Sequence, residues 1–168
     1  FRWATDRLGT RDGIVCFVSN NSFMDQFAFD GMRKHLADDF TRIYVMDLQG
    51  NIRKDSMRDG IPLGEKHTVF GLAAMVGVSV TALVRQAEEP TKIMYDSVHF
   101  RSTSQEKIRE LSEAGSIAGV AWERLQPDER HTWHVTANAE EVARFGPTGT
   151  MTANGGGPGG QVAVVQLF

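Results

Sequence analysis

Residues 1–55 read FRWATDRLGTRDGIVCFVSNNSFMDQFAFDGMRKHLADDFTRIYVMDLQGNIRKD, and the way apolar runs alternate with turn-forming residues in this stretch decides the fold class. Residues 13–19, GIVCFVS, form a continuous apolar run rich in β-branched and aromatic side chains, bounded by Gly13 and Asn20. Such a run predicts a strand buried on both faces, as at the centre of an α/β sheet. Asn20, Asn21 and Ser22 then break the pattern with side chains that favour turns. Phe27, Met32, Leu36 and Phe40 follow at spacings of five, four and four, which predicts one amphipathic helix. Asp25 near its start and Arg33, Lys34 and His35 towards its end suit the helix dipole. Residues 42–48, RIYVMDL, give a second strand. Upstream, Phe1, Trp3, Ala4 and Leu8 have helical spacing, with Gly9 as the stop.

Outward from this block the pattern loosens. Residues 49–68 are polar and carry glycines, a proline and mixed charges, so they read as a long loop. Residues 69–84 hold a third apolar segment, most strand-like at VGVSVTALV, and residues 92–99 a fourth strand. No helix separates the second and third runs, so those strands are expected to pair antiparallel, because a parallel crossover needs a helix-length connection. Ser104–Ala114 predicts a helix with Ile108 and Leu111 on one side and Gly115 as its stop, and Ala139–Phe145 a shorter one. Residues 146–160 are glycine-rich, with GGGPGG at 155–160, and VAVVQLF at 162–168 resumes a strand pattern. There is no internal repeat. The order is α/β in character.

Composition sets limits. The chain has 168 residues, 41% hydrophobic and 23% charged, which suits one ordinary globular domain. With 18 basic against 21 acidic side chains its net charge is −3. A self-sufficient nucleic-acid binder draws affinity from a basic surplus, so any DNA role here must rest on a local patch or on a larger protein. A single cysteine, Cys16, excludes an intramolecular disulfide, and the composition favours a reducing cytoplasm. Its apolar neighbours predict a buried strand thiol. No apolar run reaches the roughly 18 residues that span a bilayer. A helix already under way at residue 1, without a cap or an initiator methionine, reads as an excerpt from a longer chain.

Within residues 1–55, the SNNSF block at 19–23 and the DLQGN block at 47–51 resemble, at their mutual spacing, the region that follows the catalytic Asn-Pro-Pro-Tyr motif of adenine-specific DNA methyltransferases. The likeness is greatest to the type ISP restriction-modification enzymes, also described as helicase-methylases. It continues more weakly through residues 69–85, 121–133 and 159–168. It implies the C-terminal half of a Rossmann-like, S-adenosylmethionine-dependent methyltransferase fold with an α+β extension. Residues 13–19 would be its fifth strand, 42–48 its sixth and 69–84 its seventh, the last running antiparallel between the other two. The implied division is 1–100 for the catalytic half, 101–145 for a helical extension, and 146–168 for a glycine-rich loop and the start of a further strand.

Methylating the exocyclic amine of adenine needs bound S-adenosylmethionine, a base flipped out of the duplex, and acceptors that position the amine. The glycine-rich cofactor motif and the Asn-Pro-Pro-Tyr loop are both missing here, so the resemblance places the catalytic residues upstream of residue 1. Tight cofactor binding by this chain alone is not expected. GGGPGG lacks the preceding strand and following helix of a nucleotide-binding loop. Ser19, Asn20, Asn21, Ser22 and Phe23 lie at a strand's carboxyl end, where open α/β sheets bind ligands. Two readings stand side by side: a wall of the target-base and cofactor pocket, or a helix cap with Phe23 packed in the core. Arg53, Lys54, Arg58 and Lys66 are candidate phosphate contacts, although Asp55, Asp59 and Glu65 dilute the patch into an ordinary solvated loop. The pair in HTWH, His131 and His134, lacks a second ligand pair and is not read as a metal site. Trp122 and Trp133 read as packing anchors. The alternative function is a non-catalytic DNA-positioning or protein-interaction module derived from such an enzyme. On either reading the edge of a half-sheet stays open to a second copy.

Overall fold

The computed structural model describes residues 1–51, 68–70, 76–86, 89–99 and 102–133, and the backbone alone at 57–58 and 61–62. The chain divides into two compact units, Phe1–His134 and Val135–Phe168, and all the described residues belong to the first. The expected helix at Ala139–Phe145, the glycine-rich stretch, residues 162–168 and His134 lie outside the described residues.

Helix α1 (Arg2–Leu8) leads into strand β1 (Gly13–Asn20). A 3-10 turn at Asn21–Met24 and a second at Phe27–Phe29 precede helix α2 (Asp30–Asp39) and strand β2 (Arg42–Asp47). Two-residue strands β3 (Met57–Arg58) and β4 (Ile61–Pro62) pair as a short ribbon where a plain loop was expected. Strands β5 (Val78–Arg85) and β6 (Lys92–Ser97), helix α3 (Ser104–Ala114) and strand β7 (Glu123–Leu125) complete the order.

The sheet runs β1-β5-β2-β6-β7. Strand β5 is antiparallel to both of its neighbours, β1 and β2, while β2 and β6 are parallel. The missing helix between the second and third apolar runs has the consequence expected of it: β5 returns between two strands that α2 had already set parallel. Mixed pairing of this kind makes the fold α/β with an open sheet.

Registry sorts the side chains into two faces. One carries Ile43, Val45 and Asp47 of β2, Ser79, Thr81 and Leu83 of β5, and Ile93 and Tyr95 of β6, all of them buried. The opposite face is covered on its β2–β6 side, where Met46, Leu48, Val78 and Val98 form a cluster joined by Leu111, Val120 and Trp122. Trp122 stands edge-on to Tyr44 at 5.2 Å and donates its indole N–H to the Ile117 carbonyl, so it is the packing anchor expected. Trp133, fully buried and edge-on to Phe23, is another.

Four expectations fail, each for a physical reason. Strand β1 lies at the sheet edge and alternates between half-buried and exposed residues, so its apolar run does not mean burial on both faces. Cys16, on its open face, is exposed rather than buried. The predicted single helix is broken: Phe27 sits in a 3-10 turn, 70% exposed, with the Arg130 guanidinium 4.5 Å from its ring centroid. In α3 Leu111 packs on the cluster as expected, but Ile108 is exposed and Lys107 is fully buried. A lysine can sit there because its stem packs and its ammonium donates to the Leu48 carbonyl at 2.7 Å. The helix itself runs over the predicted span, opened by a Thr103–Glu106 capping box and closed at Gly115 with φ 63°.

Candidate functional site at the carboxyl edge of the sheet

Strands β1, β2 and β6 end on the same side of the sheet, and β5 begins there. The SNNSF and DLQGN blocks meet at this edge. Asn21, the first residue after β1, is buried and donates from Nδ2 to Oδ1 of Asp47, the last residue of β2, at 2.9 Å. The same oxygen accepts the Gln49 backbone N–H at 2.9 Å, and Oδ2 accepts the Tyr95 hydroxyl from β6 at 3.3 Å. Asp47 is 2% exposed. A buried carboxylate is costly unless donors surround it, and here three surround it from three segments. Tyr95 is held above the ordinary phenol pKa, first by burial and then by the Asp47 charge, so it stays a neutral donor.

The backbone around this knot is shaped to fit. Gln49 and Gly50 take positive φ, 57° and 97°, turning the chain back so that the Gln49 N–H reaches its own Asp47 carboxylate. Gly77, just before β5, accepts the Asn21 N–H at 3.0 Å, and a Cβ there would run into the Asn21 amide. Only glycine leaves room for that side chain to reach Asp47.

The five candidate residues after β1 divide by role. Asn20 Oδ1 accepts the Ser22 N–H at 2.7 Å, which caps the 3-10 turn. Asn21 belongs to the knot. Phe23 is buried between Phe1 and Trp133, with ring centroids 5.2 and 6.1 Å away. Ser19 and Ser22 are half-buried and the Asn20 side chain is exposed, so these are the groups the turn presents outward. Arg53, Lys54 and Lys66 lie outside the described residues, and of Arg58 only the backbone, in β3, is described.

The turn is gripped from behind by a side chain whose importance the sequence hides. Arg33 is fully buried and donates to four carbonyls: Phe23 at 2.8 Å, Gln26 at 2.9 Å, His131 at 2.6 Å and Arg130 at 3.0 Å. Asp128 folds residues 128–132 to meet it, accepting the Arg130 and Thr132 N–H groups at 3.0 and 2.8 Å. These bonds, that from Thr132 first, hold Asp128 below the usual carboxylate range. His131 takes φ 54°, and the Trp133 N–H closes the grip on the Met24 carbonyl at 2.8 Å. His131 is thus used through its backbone, and no group of three or more potential metal ligands occurs among the described residues.

No family profile and no curated protein matches the chain. Solved structures do. A DrdV–DNA complex is 41% identical over 79% of this chain, with TM-score 0.69. The type ISP restriction-modification enzyme LlaGI, in complex with a DNA substrate mimic, is 30% identical over 79% with TM-score 0.71. The ATP-dependent type ISP restriction-modification enzyme LlaBIII, bound to DNA, is 29% identical over 83% with TM-score 0.70. The chain is similar to one segment of type ISP restriction-modification enzymes. It spans only 12%, 10% and 9% of the three chains respectively.

Sequence reasoning also passed over Phe70. It is 59% exposed, its N–H bonded to Thr68 Oγ1 at 3.2 Å, and its neighbour Val69 packs on the cluster of Met46, Leu48, Val78 and Val98. That anchors an exposed aromatic ring close to where β2 ends and β5 begins. Its signal was an apolar residue ahead of the strand pattern, which the reading of 69–84 as one segment absorbed. Among the described residues no helix is long and apolar enough to cross a membrane.

Proposed function

We propose that this chain is the C-terminal part of the catalytic domain of an adenine-specific DNA methyltransferase in a restriction-modification enzyme. The observation that carries the reading is the Asn21–Asp47 bond, which joins the two blocks that suggested the family from sequence and places them at the sheet edge where α/β enzymes bind ligands. The placing of β5 antiparallel between β1 and β2 supports it, as does the likeness to enzymes solved with DNA.

On this reading the chain supplies one wall of the pocket. Ser19, Asn20 and Ser22 offer hydroxyl and amide groups to a base edge, and Phe70 offers a ring face for stacking. Phe23 acts from beneath, through its packing. Arg53, Lys54, Arg58 and Lys66 neutralise backbone phosphates. The described residues do not fit S-adenosylmethionine by themselves. Asp47, the buried carboxylate at this edge, is enclosed by Asn21, Gln49 and Tyr95 and is not offered to a cofactor hydroxyl. The cofactor and the reacting amine are held by residues outside this chain, and the work belongs to the cytoplasm.

The reading frame upstream of Phe1 tests this directly. It should encode an Asn-Pro-Pro-Tyr run shortly before the helix, and a stop codon in that interval would sink the proposal. Titration calorimetry of the isolated chain with S-adenosylmethionine should give no binding heat. Micromolar affinity would show that this wall is by itself nearly a complete site.

A further inference from the structure

We infer that the outer edge of β1 is a strand-addition surface whose occupant is a second copy of this chain, paired antiparallel about Cys16. This inference does not rest on the methyltransferase reading. The argument begins with which backbone groups are free. The Asn21 N–H donates to the Gly77 carbonyl at 3.0 Å, and the register pairs Asn20 with Val78 and Ser19 with Ser79. In an antiparallel ladder, residues alternate between bonding to the partner and facing away. Residues 13, 15, 17 and 19 therefore bond to β5, and Ile14, Cys16, Val18 and Asn20 turn their N–H and carbonyl groups outward. Among the described residues β1 has no other partner.

The side chains of those same residues are also uncovered. Ile14 is 68% exposed, Val18 57%, and Cys16 lies exposed between them. The strand GIVCFVSN contains no charged residue and no proline, the usual devices that blunt an edge. A neutral edge brings no like charges together when it meets its own copy. Pairing centred on Cys16 sets Ile14 opposite Val18 of the second copy, an apolar cross-strand match at both ends, and Cys16 opposite Cys16. A centre one residue on would set Ile14 against Asn20 and lose that match. One strand edge is a small interface, so the dimer is reversible and weak. At a hydrogen-bonded pair the two Cα atoms lie about 5.5 Å apart, within disulfide reach.

Sedimentation and mild oxidation of the 168-residue chain decide it. The dimer fraction should rise in proportion to concentration, about a hundredfold over a hundredfold increase, as mass action requires well below saturation. Copper–phenanthroline in air should convert the dimer to a disulfide-linked species: two Cys16 thiols lose two protons and two electrons to the oxidant and form one S–S bond. Cys16→Lys sets two ammonium groups face to face and should abolish association. Cys16→Ser should abolish the cross-link and leave the reversible dimer. Slower amide exchange at Ile14, Cys16 and Val18 at high concentration provides a readout that needs no variant. A monomer at every concentration, a dimer indifferent to Cys16→Lys, or a dimer that does not cross-link would each overturn the inference.

Discussion

Strands β1 and β5 are neighbours of equal length, eight residues each, and their sequences do not foretell their environments. Each holds five apolar residues, yet GIVCFVSN lies at the edge with Ile14, Cys16 and Val18 open to solvent. VSVTALVR carries Ser79 and Thr81, yet both are fully buried beside Leu83. Hydrophobicity along a strand records what the strand is built to be covered by, whereas burial records its position in the sheet as it stands. In β5 position overrides sequence, because strands flank it on both sides. In β1 the place at the edge leaves apolar side chains open among the described residues.

The largest effect should come from setting this contrast into one pair of substitutions. Leu83→Ala removes a fully buried side chain from the central strand and should cost roughly 2–5 kcal/mol, the range for cavity-forming changes. Ile14→Ala, on the partner strand and 68% exposed, should cost under about 1 kcal/mol in dilute solution. Urea unfolding of both variants checks this. Equal losses would mean that β1 is covered in solution and that the contrast between the strands is false.

Much of this arrangement was legible in advance because its causes are local. Gly13 and Asn20 bound β1, Gly115 stops α3, and the lack of a helix between the second and third runs dictates the antiparallel return. The Thr103–Glu106 capping box is a further local signal that spacing could have given. The candidate site was legible only as two blocks. Asp47 is tied to Asn21 across 26 residues and to Tyr95 across 48, separations at which no periodicity connects side chains. Arg33 misled for the same reason. Its position on α2 reads as a charged flank, but two of its acceptors are 97 and 98 residues away, in a segment that had no predicted structure. The burial of Ser79 and Thr81 was equally hidden, since it follows from strand order and not from the strand itself.

The start of β5 offers the next test. Gly77→Ala places a methyl against the Asn21 amide and should push that side chain off Asp47, at a cost of roughly 1–3 kcal/mol for the buried groups left unpaired. Because the loss runs through Asn21, the double variant with Asn21→Ala should be less destabilised than the sum of the two single changes. Strict additivity would show that Gly77 is needed for its own backbone and not for the knot. Here β5 and β1 are coupled through a side chain, so a change on the covered strand should also loosen the turn after the open one.

The smallest effect is the one whose sign is most fully determined. Tyr95 is buried, and burial together with Asp47 raises its pKa in the folded state above the ordinary value near 10. The folded protein therefore binds the phenolic proton more tightly than the unfolded chain. That contribution is fully present below about pH 10 and is lost as pH rises from there through the folded-state pKa. Tyr95→Phe should cost about 0.5–1.5 kcal/mol at neutral pH, where a hydrogen bond to Asp47 is lost. It should also remove the part of the alkaline decline that belongs to this residue, so the stability curves of variant and wild type converge above pH 10. Parallel curves across that range would place the Tyr95 hydroxyl in water and detach β6 from the Asp47 knot.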